Sequence, residues 1–215
     1  MRAQVLLHRL EYALWIAGAL ATGFCAGVFL EARFYQTLEN RRLEEALRSP
    51  RPQEPPALRP QPRPLGSLVG RLEIPRLRFA AIVFEGSDTG TLRIGVGRLP
   101  ETADPGQNGN VVLSGHRDTF FRPLRGIRDG DGIVLITPNG RYRYVVDWTK
   151  VVDPTDTGSL KPTSAPSLTL VTCYPFYYVG PAPQRFIVRA RQVEAGPVSL
   201  ARYARGGENQ SEHWR

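Results

Sequence analysis

A mainly β domain carried behind one membrane-spanning helix is the fold class this sequence predicts, and three observations predict it. Residues 13–30 contain no charged side chain. Between residues 66 and 195 lie roughly eight short stretches of alternating apolar and polar residues, set off by glycine, proline and asparagine. The same region holds no long amphipathic helix, so a barrel or sandwich with short helical turns is expected in place of a βαβ fold. About 130 residues suffice for one hydrophobic core.

Residues 1–12 form a short basic segment. The apolar run at 13–30 then comes close to crossing a hydrocarbon core of about 30 Å at about 1.5 Å per residue, with Tyr12 and Trp15 suited to an interface. A cleaved signal peptide is the rival reading, but a cut after Ala19-Leu20-Ala21 would leave Gly23 to Leu30 as an apolar new terminus. A lipoprotein signal fits less well, because bulky Phe24 precedes Cys25. Arginines and glutamates are mixed on the far side, so the positive-inside count does not orient the segment.

Residues 31–48 continue as a juxtamembrane helix, with Phe34, Leu38 and Leu47 near helical period and charges elsewhere, and the expectation is a solvated stalk. Residues 49–65 form a Pro-rich linker; seven prolines fall between 50 and 64, favouring extended polyproline II and a semi-rigid spacer that holds the following domain off the membrane. Strands are expected at 68–74, 81–85, 110–114, 132–137, 141–150, 150–152 running toward 156, 168–173 and 185–192. Pro138-Asn139-Gly140 marks a hairpin between the fourth and fifth. Helical turns fit 90–94 and 119–127, the second capped by Asp118 or Thr119. Residues 196–215 read as a disordered polar tail.

A net charge of +8 and a pI near 10 raise the question of nucleic acid. Only Lys150 and Lys161 are lysines, the arginines are scattered, and no nucleic-acid module is visible, so attraction to an anionic envelope surface or an arginine-rich composition is the better reading.

The chemistry concentrates in few residues. Cys25 lies in the apolar run, so Cys173 is the one thiol outside it, delivered to the end of a strand that Pro175 terminates. An unpaired thiol in an exported protein needs a reason. Of His8, His116 and His213, only His116 lies in the predicted domain, at the end of the strand that runs through Ser114 and Gly115. A thiol with an unperturbed pKa of about 8.5 needs a base or an electropositive setting to become a thiolate near neutral pH. Alternation in the last strand puts Arg185, Ile187, Arg189 and Arg191 on one face, and Arg185 at the strand start can lie beside the end of an antiparallel neighbour.

Leu-Val-Thr-Cys at 170–173, Gly-His-Arg at 115–117 and the following Arg185 resemble the signature of the sortases. Gly-Arg-Leu-Glu-Ile-Pro at 70–75 and Thr-Phe-Phe-Arg-Pro-Leu at 119–124 make the chain most similar to the class D branch. The resemblance covers about 66–193. It implies an eight-stranded β-barrel with short helical turns, preceded by one transmembrane helix with the N-terminus cytoplasmic and the catalytic domain outside. It implies a cysteine transpeptidase that cleaves a Leu-Pro-X-Thr-type sorting motif after Thr, with Cys173 as nucleophile, His116 as acid and base and Arg185 as oxyanion stabiliser. Thr172 and Arg117 are candidate substrate contacts, against the plainer readings of a strand residue and a solvated arginine. Asp118 reads better as a turn cap than as a third triad member. The implied partners are sorting-signal proteins, an amine acceptor such as a cell-wall precursor or a pilin lysine, and the membrane; no cofactor and no metal ligands are assigned. Papain-like or cell-wall cysteine hydrolases place Cys before His and start Cys on a helix, and L,D-transpeptidases hold the pair close in sequence. A non-catalytic envelope scaffold with an incidental thiol is the remaining alternative.

Overall fold

The computed structural model describes residues 2–48 and 63–196. The linker expected at 49–65 falls outside them apart from its last three residues, and the tail expected at 196–215 falls outside them apart from Gly196. Eight strands close into a barrel: β1 (Leu68–Ile74), β2 (Phe79–Glu85), β3 (Val96–Arg98), β4 (Asn110–Ser114), β5 (Gly132–Thr137), β6 (Gly140–Val152), β7 (Ser167–Tyr174) and β8 (Gln184–Gly196). Their order around the barrel is β1-β2-β3-β4-β7-β8-β6-β5, with β5 returning to β1. The pairs β2/β3 and β4/β7 are parallel and the other six are antiparallel.

Alternation sets which side chains face inward. Leu72 and Ile74, Val111 and Leu113, Leu168 and Leu170, and Val188 and Ala190 all enter one buried core, and Phe121, Leu124 and Ile127 from the β4–β5 connection join it. The stretch expected as two strands at 141–150 and 150–152 is the single strand β6, bent by register shifts at Arg143/Tyr144 and Val146/Trp148. Strand β3 had no counterpart in the sequence reading. It has three residues, and its central Gly97 packs so tightly that a Cβ there would lie 2.2 Å from the Gly86 carbonyl oxygen. The turn expected at 119–127 is a 3-10 helix, Arg122–Gly126, whose N-cap is Phe121 rather than Asp118 or Thr119; Pro123 supplies its start without any side-chain cap.

One unbroken helix, α1 (Arg2–Arg48), carries both the apolar run and the juxtamembrane segment, and it is long and apolar enough to cross a membrane. Its last third is not a solvated stalk. Leu43 is fully buried, Gln36 accepts from the Ile82 amide (2.8 Å) and donates to the Ile94 carbonyl (2.7 Å), and Asn40 accepts from Arg71 (2.6 Å). Glu31 pairs with Arg93 of the short helix α2 (Thr89–Ile94) at 3.0 Å. The physical reason is a stripe of Gln36, Asn40 and Glu44 at four-residue spacing, which faces the barrel through hydrogen bonds rather than through an apolar ridge. The barrel therefore rests against the helix itself.

Candidate active site

The site is built from three adjacent strands, β4, β7 and β8. In β4 the core-facing residues are Val111 and Leu113, so Asn110, Val112 and Ser114 carry outward parity; in β7 the outward set is Thr169, Val171 and Cys173, and in β8 it is Arg185, Ile187 and Arg189. Strand registers join these into rows. Val112, Thr169 and Arg189 form one, Ser114, Val171 and Ile187 the next, and Cys173 lies directly opposite Arg185 in the third. The parallel β4/β7 ladder ends at Ser114 with Val171, and two residues beyond these are His116 and Cys173. The backbones of Cys173, His116 and Arg185 thus lie at the same end of this three-strand wall, with Cys173 on its middle strand.

Local bonds hold the histidine segment to the cysteine strand. The Gly115 amide donates to the Val171 carbonyl (3.2 Å), and the Thr172 hydroxyl donates to the Gly115 carbonyl (2.7 Å). Gly115 lies over the Phe121 ring, where a Cβ would meet a ring carbon at 2.9 Å, so glycine lets the chain turn there. Cys173 is half-buried and His116 exposed. Beneath the rim Tyr174, Phe176 and Phe186 pack together, with ring centroids 5.4 to 6.2 Å apart, and close that end of the barrel. The peptide between Tyr174 and Pro175 is cis.

The rim is cationic and lightly bonded. Arg185 donates through Nη1 to the carbonyls of Gln184 (3.0 Å), its neighbour at the start of β8, and Ala182 (3.3 Å), in the loop before it. Asp153 follows Val152, the β6 partner of Arg185; its carboxyl is held below the usual range by the amide and hydroxyl of Thr155, with a smaller contribution from Arg185. Arg117 donates to the carbonyls of Tyr178 (2.7 Å) and Gly180 (2.9 Å), and Arg125 stands 5.5 Å from the Tyr177 ring centre. The β7–β8 loop is thereby fastened to the His116 segment.

The predicted residues therefore separate. Cys173 and Arg185 are register partners across β7/β8, and His116 lies two residues past the end of the β4/β7 ladder. Thr172 is buried with its hydroxyl engaged by Gly115, and Arg117 directs a guanidinium nitrogen to loop carbonyls. Arg189, on the same face of β8 as Arg185, lies two rows lower. It donates to the Ser159 carbonyl (2.6 Å) and the Ser167 hydroxyl (3.1 Å) and stacks on Trp148, while burial pulls its pKa below the ordinary arginine value. Sequence reasoning did not single out Asn110. It accepts from Thr169 (2.7 Å) and sends its amide toward the carbonyls of residues 159, 160 and 161, fixing the β6–β7 connection over the lower rows. A polar residue at the first position of an otherwise apolar strand was the available signal. Among the described residues, no group of three or more His, Cys, Asp or Glu side chains could hold a metal ion.

The model of the Sortase domain family matches residues 72–193, more than half of the chain, taking in the end of β1 from Leu72, all of β2 to β7, and β8 as far as Val193. The chain belongs to the sortase family. Sortase D of Bacillus subtilis (strain 168) is 40% identical over 129 residues, covering 60% of this chain and 65% of that protein. Sortase A of Listeria monocytogenes is 32% identical over 111 residues, covering 50% of each. This sortase thus spans between half and two thirds of the length of the curated relatives it matches. A solved structure of a Clostridium perfringens Sortase D5 transpeptidase superposes with a TM-score of 0.56 at 24% identity, over 72% of this chain and 89% of that one, which shows the shared barrel fold.

Proposed function

We propose that this sortase is a membrane-anchored cysteine transpeptidase, with α1 as a single-pass anchor, its N-terminus cytoplasmic and its barrel outside the cell membrane. The observation that carries the reading is the row at the rim: Cys173 opposite Arg185 across β7/β8, with His116 two residues past the end of the neighbouring ladder. Sortase D at 40% identity supports the reaction class.

The chemistry follows from the three groups. The Cys173 Sγ, its proton passed to His116, attacks the carbonyl carbon of the Thr in a Leu-Pro-X-Thr-type sorting motif, and the carbonyl oxygen takes the negative charge. Arg185 is the cation beside the thiol that meets that charge, and its planar donors suit an oxygen that becomes anionic only in the transition state. His116 gives a proton to the departing amine, leaving a thioester on Cys173 and a neutral imidazole. An incoming amine, from a cell-wall precursor or a pilin lysine, then attacks the thioester, passes its proton to His116 and releases Cys173 as the thiolate, which regains its proton from the imidazolium. Splitting the exchange into two acyl transfers replaces one difficult step by two easier ones. Thr172 fixes the His116 segment from below, and Arg117 holds the loop that leads into Arg185.

The test uses the full-length chain in nanodiscs with a quenched peptide carrying the sorting motif and a labelled amine. Cleavage together with amine-ligated product, both lost in Cys173→Ala, is the expected result. Cleavage that persists in Cys173→Ala would remove the thiol from the mechanism.

A further inference from the structure

Helix α1 changes its surroundings at one point along its length. From Leu10 to Tyr35 its large apolar side chains other than Val28 stand exposed, Phe34 at 64% and Tyr35 at 38% included; beyond Tyr35, Leu38 is half-buried and Leu43 is fully buried. At about 1.5 Å per residue the exposed stretch is about 39 Å long. That matches a bilayer of about 40 Å measured through its headgroup regions. No aqueous gap separates the two environments, because Gln36, the residue after Tyr35, already bonds to Ile82 and Ile94.

Barrel contacts begin even earlier than Gln36. Arg93 of α2 pairs with Glu31, four residues on the membrane side of Tyr35. Arg33 is exposed beside this pair and stacks over Phe29 at 5.3 Å. Aromatic rings flanked by arginines are the side chains that favour the headgroup layer. We propose that the barrel is seated on the membrane, with α2 lying among phospholipid headgroups and Arg93 and Arg33 reaching their phosphates. The opposite end of the docked segment stands clear. Glu44 lies about 20 Å further along the helix axis. There it meets Arg71, whose β5 partner Ile136 leads to the exposed β5–β6 turn at Asn139. The inference rests on α1 crossing the membrane and is independent of the chemistry at Cys173.

The test places single nitroxide labels on the full-length chain, in a Cys25→Ala, Cys173→Ala background, at Leu20→Cys, Thr89→Cys and Asn139→Cys, in vesicles containing a nickel-chelating lipid headgroup and phosphatidylglycerol. Relaxation of the Thr89 label by headgroup nickel should exceed that of the Asn139 label several-fold, while the Leu20 label collides with oxygen rather than with a water-soluble reagent. Gln36→Ala combined with Glu31→Ala should bring the Thr89 value down toward that of Asn139 and leave Leu20 unchanged. Equal relaxation at Thr89 and Asn139 with Leu20 still in lipid would overturn the seated barrel and spare the anchor. A water-accessible Leu20 label would overturn both.

Discussion

The two ends of one outer wall differ in how completely their polar groups are bonded. At the lower end, Asn110, Thr169, Ser167 and Arg189 bond to one another or to the backbone at 159–161, and the β6–β7 connection lies over them. At the upper end, Cys173 stands opposite Arg185 with His116 two residues past the neighbouring ladder, and Arg185 donates to the carbonyls of Ala182 and Gln184. The same three strands supply both ends, so the difference arises from the connections that return over them. Groups bonded on all sides hold a fold together, whereas groups left with unused donors at an accessible rim can meet charge that appears during a reaction.

Substitutions should therefore separate activity from stability along this wall. The largest effect is expected at Cys173→Ala, which should abolish turnover with an unchanged melting curve. Arg185→Ala should come next, lowering kcat/KM about a hundredfold, or about 3 kcal/mol in the barrier, again with little change in Tm. If Arg185→Ala instead melts the barrel without a specific rate loss, the upper end is structural and the contrast fails. Asn110→Ala should do the reverse, destabilising the fold by about 1–3 kcal/mol because the buried Thr169 hydroxyl loses its acceptor. Denaturant unfolding measures that loss, and the expected activity at low temperature is near normal.

A smaller effect should come from a third region. The Asp131 carboxyl is held below the usual carboxylate range, first by its hydrogen bond from Arg76 and also by the Arg128 amide. A carboxyl whose folded pKa is depressed contributes stability above its unfolded pKa of about 4, and that stability is lost as pH falls through the folded value. Asp131→Asn should thus flatten the acid limb of Tm against pH below about pH 4 and leave the catalytic pH profile alone. A changed catalytic profile would show that this corner is coupled to the rim.

Much of the fold was legible because the barrel obeys local rules. The limits of β1, β4 and β5 agree with the alternation in the sequence, since each strand runs between turn-forming residues. Strand β3 was hidden because three residues with a central glycine carry no alternation; it exists through its neighbours β2 and β4. The docking of α1 was hidden for a different reason. Gln36, Asn40 and Glu44 look solvated in sequence, and only the amides, carbonyls and guanidinium opposite them make that stripe an interface. At the rim, the pairing of Cys173 with Arg185 across β7/β8 was legible because the thiol is single in the domain and the arginine lies near the start of its strand. The engagements of Thr172 and Arg117 were not, because whether a polar side chain faces a groove or a returning backbone depends on loops far away in sequence.

Intact-mass measurement of the full-length protein, mixed with a sorting-motif peptide and no amine acceptor, tests most directly that Cys173 is the acyl carrier. A mass increase equal to the peptide's portion through Thr, mapped to Cys173 and discharged within minutes of adding an amine, is the predicted result. An unmodified protein accompanied by cleaved peptide, or an adduct on any other residue, would contradict it.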